Sequence, residues 1–187
     1  MKYLVVGLGN IGEEYVHSRH NIGFRVLDAL AKASNLVFST ERYGDVAELR
    51  VKGQTLLLLK PSTYMNLSGN AVKYWMDREK VPIERLLIIA DDLALPFGTL
   101  RMKPKGSSGG HNGLKNIESL IGSSLYARLR IGIGNDFSRG KQIDFVLGKL
   151  SEEEEEILKT KLITTQEMIK TFALEGVERA MTSFNNK

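Results

Sequence analysis

The stretch YLVVGLGNIGEEYVHSRHNIGFRVLDALAKA, residues 3–33, determines the class of fold that we predict for this chain. Residues 3–8 form a short apolar run, which is typical of a β-strand covered on both faces. After a polar loop, residues 22–33 repeat apolar side chains at helical spacing, so that one helix face carries Ile22, Val26, Leu27, Leu30 and Ala31. A buried strand followed by an amphipathic helix predicts an α/β fold.

The same alternation of strand and helix signals continues along the chain. Ser151 and Glu154 match a capping box, which predicts a long C-terminal helix that Gly176 interrupts before residues 177–184. We expect one α/β domain, residues 1–187, with a mixed, mostly parallel twisted sheet flanked by helices. The remaining patterns predict a hairpin of residues 45–51 and 55–59, helices at 70–80 and 114–121, and strands at 86–90, 99–103 and 129–133.

Composition narrows the kind of partner. Residues 1–150 carry 21 Lys and Arg against 14 Asp and Glu, whereas residues 151–187 carry 5 against 8. A basic body indicates an anionic partner, and nucleic acid is the commonest one. The chain has no Cys, which excludes disulfides and thiolate chemistry, and no apolar run approaches the ~20 residues of a membrane helix. We expect a cytoplasmic protein whose first residues form a strand and not a signal peptide.

His20 lies in the polar loop after the first predicted strand. Histidine has an ordinary pKa of roughly 6.5, so it can accept and return a proton near neutral pH as a general base. Three predicted strands run into polar loops, and these loops carry Asn10, Asn66 and the pair Asp91-Asp92. In an open α/β sheet the usual ligand site lies beyond the carboxyl ends of the strands, where these loops can converge.

Residues 7–12, Gly-Leu-Gly-Asn-Ile-Gly, match the glycine pattern of dinucleotide-binding folds. In those folds the helix begins at the glycines, so that its N-terminus meets the pyrophosphate. Here the helical spacing starts only near Ile22, and the acidic residue expected about 20 positions further on is missing. We therefore expect no nicotinamide or flavin cofactor. A dinucleotide-dependent enzyme is the alternative that a titration with NAD(P)H, followed through Trp75 fluorescence, would test.

The segment RMKPKGSSGGHNG, residues 101–113, combines basic side chains with glycines. Arg101, Lys103 and Lys105 alternate along a predicted strand, and the glycines let backbone N–H groups approach an anion. With a helix beginning after Asn112, the pattern favours phosphate contact over a solvated strand and hairpin tip. The chain lacks the Walker A pattern, metal-ligand spacing and the G-x-S-x-G motif, so we expect no nucleotide-hydrolysing loop, metal site or serine hydrolase.

Taken together, these segments resemble the bacterial peptidyl-tRNA hydrolase family. The resemblance implies an enzyme that hydrolyses the ester between a peptide and the 3′-terminal ribose of tRNA. Such an enzyme recycles tRNA from peptidyl-tRNA that stalled ribosomes release, and the resemblance implies that it acts as a monomer. The matching segments cover nearly the whole chain in the family's order and spacing: residues 6–10, Tyr15, and residues 19–24, 65–69, 91–93, 109–115 and 129–134.

The resemblance also implies roles for individual residues. His20 is similar in position to the base that activates water, and Asp91 to the carboxylate that orients its ring. The chain departs from the family pattern at three places: Ile11 stands where many members have proline, Ala94 where an acidic residue is common, and Ser107-Ser108 where the pattern is richer in glycine. The implied catalytic and substrate amides are Asn10, Asn66 and Asn112, the implied aromatic contacts are Tyr15 and Tyr64, and the implied tRNA phosphate contacts are Lys103, Arg130 and Lys105.

Two questions stay open at the level of sequence. Either Asp91 or Asp92 can be the residue that contacts His20. A non-catalytic RNA-binding protein of the same fold would use the basic residues 101–105 but would have no use for His20 and the three asparagines. Loss of the ester from N-acylated aminoacyl-tRNA separates that protein from an enzyme.

Overall fold

The structure, a computed structural model, describes residues 1–186. Within them the chain forms seven strands of one sheet: β1 (Lys2–Gly7), β2 (Ser39–Glu41), β3 (Gly44–Val51), β4 (Gln54–Pro61), β5 (Leu86–Asp92), β6 (Leu100–Lys103) and β7 (Ala127–Gly132). The order across the sheet is β2-β3-β4-β1-β5-β7-β6. The central strands β4, β1, β5 and β7 pair in parallel, whereas β3 and β6 pair antiparallel with them. The predicted mixed sheet is confirmed, with three parallel and three antiparallel pairs of strands.

Six α-helices flank this sheet in the described part of the chain. They are α1 (Ile22–Ala33), α2 (Ser68–Glu79), α3 (Asn112–Ile121), α4 (Gln142–Leu147), α5 (Glu152–Glu175) and α6 (Val177–Phe184). The predicted long C-terminal helix is present, and the Ser151 hydroxyl accepts from the Glu154 N–H while the Glu154 carboxylate accepts from the Ser151 N–H. Strand β2 and helix α4 were not predicted, because β2 is exposed throughout and α4 has no fully buried side chain to set a pattern.

The core lies in two layers, one on each face of the sheet. Along β1 the side chains alternate between them, so that Leu4 and Val6 pack with the α2 and α3 side while Val5 packs with the α1 and α5 side. Burying each such aliphatic side chain contributes about 1.5–3 kcal/mol to folding. The two layers hold β1 rigidly and thereby fix the loop that follows it.

The glycine pattern after β1 serves the packing of α1. A Cβ atom on Gly7 would collide with the Gly23 backbone, and a Cβ atom on Gly9 would lie 2.8 Å from the Phe24 ring. Helix α1 begins only at Ile22, after a 3₁₀ turn at Glu13–Tyr15. These glycines are therefore explained by the close approach of helix and strand, and no helix N-terminus stands at the loop as a dinucleotide pyrophosphate requires.

The last described residues cover the free edge of β6. The Asn185 side-chain amide accepts from the Met102 N–H at 2.7 Å and donates to the Met102 carbonyl at 2.9 Å. The Asn186 N–H donates to the Leu100 carbonyl at 3.3 Å. Main-chain groups that would face outward from the sheet are thus already hydrogen-bonded.

Candidate active site

Asp91 links two histidines from different parts of the chain. His20 lies in a 3₁₀ turn just before α1, and its Nδ1 is 2.7 Å from Asp91 Oδ2 at the end of β5. His111 lies just before α3, and its Nε2 is 2.9 Å from Asp91 Oδ1. The Asp91 side chain is only 2% exposed, and each of its two oxygens is hydrogen-bonded to one histidine. The structure thereby identifies Asp91, and not Asp92, as the partner of His20.

The hydrogen bonds of His111 define its tautomer. Its Nδ1 accepts from the backbone N–H groups of Gly113 at 3.1 Å and Leu114 at 3.3 Å, so His111 caps α3. A nitrogen that accepts two hydrogen bonds carries no proton, and the ring proton therefore lies on Nε2 and is donated to Asp91. The sequence predicted a helix that begins after Asn112, but the bond between His111 and Asp91 depends on tertiary contact and was not predicted.

Asp91 and His20 shift each other's pKa. Burial lowers the pKa of His20, but the charge of Asp91 and the hydrogen bond to it outweigh burial and raise the pKa above its ordinary value. Burial raises the pKa of Asp91, but the two histidines outweigh burial and hold that pKa well below its usual range. Asp91 is therefore a carboxylate at neutral pH and receives the Nδ1 proton of His20. This leaves His20 Nε2, which has no hydrogen-bond partner among residues 1–186, as the free basic nitrogen.

A small cavity of about 90 Å³ adjoins this pair. One side is formed by His20, Asp91 and residues 108–112, which include the exposed Asn112 at the first turn of α3. The other side is formed by Gln142, Ile143 and Val146 of α4. The cavity provides space for a small polar group, such as a water molecule, next to His20.

Arg19 joins the turn that carries His20 to the α4 wall of this cavity. Its Nη2 is 3.0 Å from Glu154 Oε1, and its Nη1 donates to the Phe145 carbonyl at 3.3 Å. The guanidinium also stacks over the Phe145 ring at 4.3 Å from its centroid. These contacts, together with the packing of the partly buried Phe145 and Val146 against the core, hold α4 beside His20. The sequence analysis did not identify this role of Arg19.

Asn10 connects the loop after β1 to the loop after β4 by a hydrogen bond. Its Oδ1 accepts from the Met65 N–H at 2.8 Å. Its own backbone N–H donates to Asn21 Oδ1 at 2.8 Å, and its carbonyl accepts from Asn21 Nδ2 at the same distance. Asn10 Nδ2 has no hydrogen-bond partner in residues 1–186 and is left as a donor. The structure thus brings two of the three predicted loops together.

The other predicted substrate residues lie around this junction. Tyr64 is exposed just before Met65, and Asn66 is exposed directly after it. Tyr15 is half-buried in the 3₁₀ turn at Glu13–Tyr15. None of the three is hydrogen-bonded to His20 or Asp91 in the part of the chain that the structure describes. Their roles therefore remain predictions.

The predicted phosphate-binding residues lie on β6, on β7 and in the loop between β6 and α3. Lys103 and Lys105 are exposed, and Arg101 stands opposite Arg130 in the pairing of β6 with β7. Arg130 donates to the Ser107 carbonyl at 2.6 Å and is 3.3 Å from Asp92 Oδ2. Arg130 is therefore largely occupied within the protein, whereas the two lysines are open to an external anion.

A buried arginine on β7 supports the same loop. Arg128 is fully buried, donates to the Ser124 carbonyl at 2.6 Å and lies over the Tyr126 ring at 4.1 Å. Its Nη1 is also 3.5 Å from the Ser107 carbonyl. Arg128 was not singled out in the sequence, because nothing in a strand pattern distinguishes a buried arginine from an exposed one.

The two histidines and Asp91 also have the composition of a metal site. Their ligand atoms all lie within 4.8 Å of one another. The ring nitrogens lie 2.7 and 2.9 Å from the carboxylate oxygens, which are hydrogen-bond distances. These atoms are therefore already hydrogen-bonded to one another. The expectation that no metal takes part stays a prediction.

An open α/β sheet with a buried carboxylate that orients a histidine beside a cavity is typical of an enzyme active site. The model of the peptidyl-tRNA hydrolase family matches residues 4–187, and the chain belongs to that family. The peptidyl-tRNA hydrolase of Phocaeicola vulgatus is 62% identical over the full length of both chains. That of Porphyromonas gingivalis is 58% identical over 99% of this chain and 100% of its own.

Solved structures give the same result for the fold. The crystal structure of the peptidyl-tRNA hydrolase of Acinetobacter baumannii superposes with a TM-score of 0.92 at 33% identity, covering 98% of this chain and 95% of the other. An arginine-to-glutamine mutant of that enzyme superposes with a TM-score of 0.93 at 34% identity, covering 98% and 94%. Fold, family and enzyme class are thereby confirmed. No helix in residues 1–186 combines the length and the apolar character that crossing a membrane requires.

Proposed function

We propose that the enzyme hydrolyses the ester that joins a peptide to the 3′-terminal ribose of tRNA, with His20 as the general base. The hydrolysis of peptidyl-tRNA follows from the family, and the residue roles are our proposal. The observation that carries it is the 2.7 Å bond between His20 Nδ1 and Asp91, which leaves Nε2 free beside the cavity. The reaction would release free tRNA for reuse from peptidyl-tRNA that has dissociated from the ribosome.

In the proposed first step a water molecule gives a proton to His20 Nε2 as its oxygen attacks the ester carbonyl carbon. The imidazolium that forms is stabilised by the Asp91 carboxylate, which also holds the ring in the required tautomer. In the second step the tetrahedral intermediate expels the ribose 3′-oxygen, which takes the proton back from His20. An ester needs no covalent nucleophile for this, because the ribose oxygen is a tolerable leaving group.

Amide side chains are proposed to bind the acyl part of the substrate. Asn10 Nδ2 is an unused donor in a fixed position, because its Oδ1 is held by Met65. Asn112 lines the cavity from the first turn of α3, and Asn66 is exposed directly after Met65. Such amides can donate to peptide carbonyls, accept from peptide N–H groups and stabilise the developing oxyanion. Tyr15 and Tyr64 are proposed as aromatic contacts near the aminoacyl end.

The tRNA is proposed to lie against the basic side of the site. Lys103 and Lys105 are exposed and would contact phosphates directly. Arg130 is proposed to complete the phosphate contact, while its bonds to Ser107 and Asp92 hold the adjoining loop in place.

Replacing His20 by Ala tests the proposal. We expect the hydrolysis rate of N-acetyl-aminoacyl-tRNA to fall by about 10²–10⁴, because the general base is lost. The affinity for tRNA should change little, since His20 makes no phosphate contact in this scheme. His17→Ala is the matched control, because His17 is an exposed histidine three positions earlier whose ring has no hydrogen bond within residues 1–186. Unimpaired turnover in His20→Ala would contradict the assignment, and tRNA binding without ester hydrolysis by the unaltered protein would favour an RNA-binding protein instead.

A further inference from the structure

A second basic surface lies at the opposite edge of the sheet from Lys103 on β6. It combines the two-residue turn between β2 and β3 with one face of α2. Its members are linked by contacts between guanidinium groups and aromatic rings, and they are Arg42, Tyr43, Tyr74, Trp75 and Arg78. We refer to these five residues as the arginine–aromatic surface.

We propose that the arginine–aromatic surface binds an unpaired segment of RNA that belongs to a molecule other than the tRNA being hydrolysed. This inference goes beyond the proposed function and does not depend on it. Three features of the surface support this partner: the available donors of the two arginines, the exposed ring of Tyr43 and the position of the turn in the sheet.

The rings orient both arginines and leave their hydrogen-bond donors available. The Arg42 guanidinium lies 5.2 Å from the ring centroids of both Tyr43 and Tyr74, and that of Arg78 lies 4.8 Å from the Trp75 ring. Neither guanidinium donates a hydrogen bond or forms an ion pair within residues 1–186. A guanidinium held against a ring can bind two oxygens of one phosphate with its planar set of N–H groups. The surface therefore carries two oriented groups of the kind that bind phosphate.

The nearest acidic side chains do not neutralise this charge in the described part of the chain. Asp77 and Glu79 are the acidic residues of α2, and each is paired with a lysine, at 3.7 and 3.5 Å. Glu41, which precedes Arg42, accepts a hydrogen bond from the Ser39 hydroxyl at 3.4 Å. Positive charge is therefore available at the surface, and it is complementary to a phosphate backbone.

Tyr43 presents an aromatic ring at a position where the backbone favours a smaller residue. Its φ is 65°, in the left-handed region that bulky side chains rarely adopt. The turn is held on both sides, because Trp75 Nε1 donates to the Arg42 carbonyl and the Ser62 N–H donates to the Tyr43 carbonyl, both at 2.8 Å. The Tyr43 ring is 36% exposed and meets the Tyr74 ring edge to face at 5.4 Å. An unpaired base can stack on such a ring, whereas the bases of a duplex are already stacked on one another.

The position of the surface separates it from the tRNA of the proposed function. Four strands, β4, β1, β5 and β7, lie between β3 and β6. Neighbouring strands are about 4.8 Å apart, so β3 and β6 are separated by about 24 Å across the sheet. A tRNA that contacts the lysines of β6 and the following loop therefore leaves the arginine–aromatic surface open to a second RNA.

The test measures binding of a fluorescent oligouridylate of about ten nucleotides by anisotropy. We expect the unaltered protein to bind it with a Kd of about 10⁻⁵ M at moderate salt. Tyr43→Asn removes the ring and should not destabilise the fold, because Asn adopts the left-handed conformation more readily than Tyr. We expect the affinity of Tyr43→Asn for the oligouridylate to fall about tenfold, because the stacked base is lost.

A matched pair of arginine variants separates the surface from the overall charge of the protein. Arg42→Gln should weaken binding about tenfold, because it removes a guanidinium that is oriented for a phosphate. Arg50→Gln makes the same change in charge on the same hairpin, at a side chain that is 82% exposed, and should change the affinity by less than about twofold. Neither Tyr43→Asn nor saturation with oligouridylate should alter hydrolysis of N-acetyl-aminoacyl-tRNA, because the two surfaces are separate.

Four results would overturn the proposal. The first is the absence of saturable oligouridylate binding by the unaltered protein, and the second is unchanged affinity in both Tyr43→Asn and Arg42→Gln. The third is loss of binding in Lys103→Ala together with inhibition of hydrolysis by the oligouridylate, which would place the oligonucleotide on β6. The fourth is equally tight binding of an oligoglutamate peptide of the same length, which would show that the surface recognises negative charge and not RNA.

Discussion

Replacing Asp91 by Asn should separate the electrostatic role of this side chain from its shape. Asn has nearly the same size but carries no charge and only one acceptor oxygen. In the structure each oxygen of Asp91 serves a different histidine, at 2.7 Å for His20 and 2.9 Å for His111. In the variant one histidine N–H faces an amide NH₂ group, so at least one of the two hydrogen bonds is lost.

The size of the effect follows from these contacts. A hydrogen bond to a charged group contributes about 1.5–3 kcal/mol, and each 1.4 kcal/mol or so in the barrier changes the rate about tenfold. Loss of the bond to His20 alone therefore predicts a reduction of about 10- to 100-fold. The imidazolium formed during attack also loses its counter-charge, so we expect kcat/KM to fall by about 10²–10⁴ in total.

The pH profile provides the sharper measurement. A general base acts when it is neutral, so the acid limb of log kcat/KM follows the pKa of His20. Asp91 raises that pKa against the effect of burial, and in Asp91→Asn only burial remains, which lowers it. The acid limb should therefore move to lower pH while the plateau falls.

The assay is the release of N-acetyl-amino acid from tRNA between pH 5 and 9, with subsaturating substrate. Asp92→Asn is the control, because Asp92 contacts Arg130 and not His20, and its acid limb should stay in place even if tRNA binding weakens. An acid limb of Asp91→Asn that stays in place or moves to higher pH would refute the reasoning. A loss of less than tenfold would refute it as well.

Two further changes test the surroundings of the site. In Arg19→Met the bonds to Glu154 and the Phe145 carbonyl are lost. We expect KM for peptidyl-tRNA to rise about tenfold with kcat nearly unchanged. An equal fall in kcat would contradict a purely positioning role for Arg19. In Lys103→Ala the dependence of log affinity for tRNA on log salt should become shallower by about 1, whereas Lys159→Ala on the exposed side of α5 should leave it unchanged.

Local signals were sufficient for the main elements of the fold. Helix α1 begins and ends where its apolar spacing indicated, and the capping box at Ser151 marks the start of α5. Both signals act within a few residues of the chain, so sequence alone contains them. By contrast, α4 is held by contacts with Arg19, which is distant in sequence, and its own residues show no buried stripe.

The sequence singled out the residues of the candidate site but not the contacts among them. Residues 86–90 are apolar on both faces of β5, so their pattern does not reveal whether Asp91 or Asp92 points toward His20. Successive side chains of a strand point to opposite faces, and only the packed sheet determines which one meets the histidine. The pairing of His111 with Asp91 likewise depends on how α3 is placed against β5.

The Asn185 side chain at the edge of β6 has a consequence for the behaviour of the protein at high concentration. An open sheet edge offers main-chain groups to a strand of another molecule and so invites self-association. Asn185 occupies the N–H and carbonyl of Met102 as a neighbouring strand would, with a single side chain. We expect that removing Asn185 and Asn186 would leave the outward main-chain groups of Met102 and Leu100 unpaired, so that the edge of β6 could pair with a strand of another molecule.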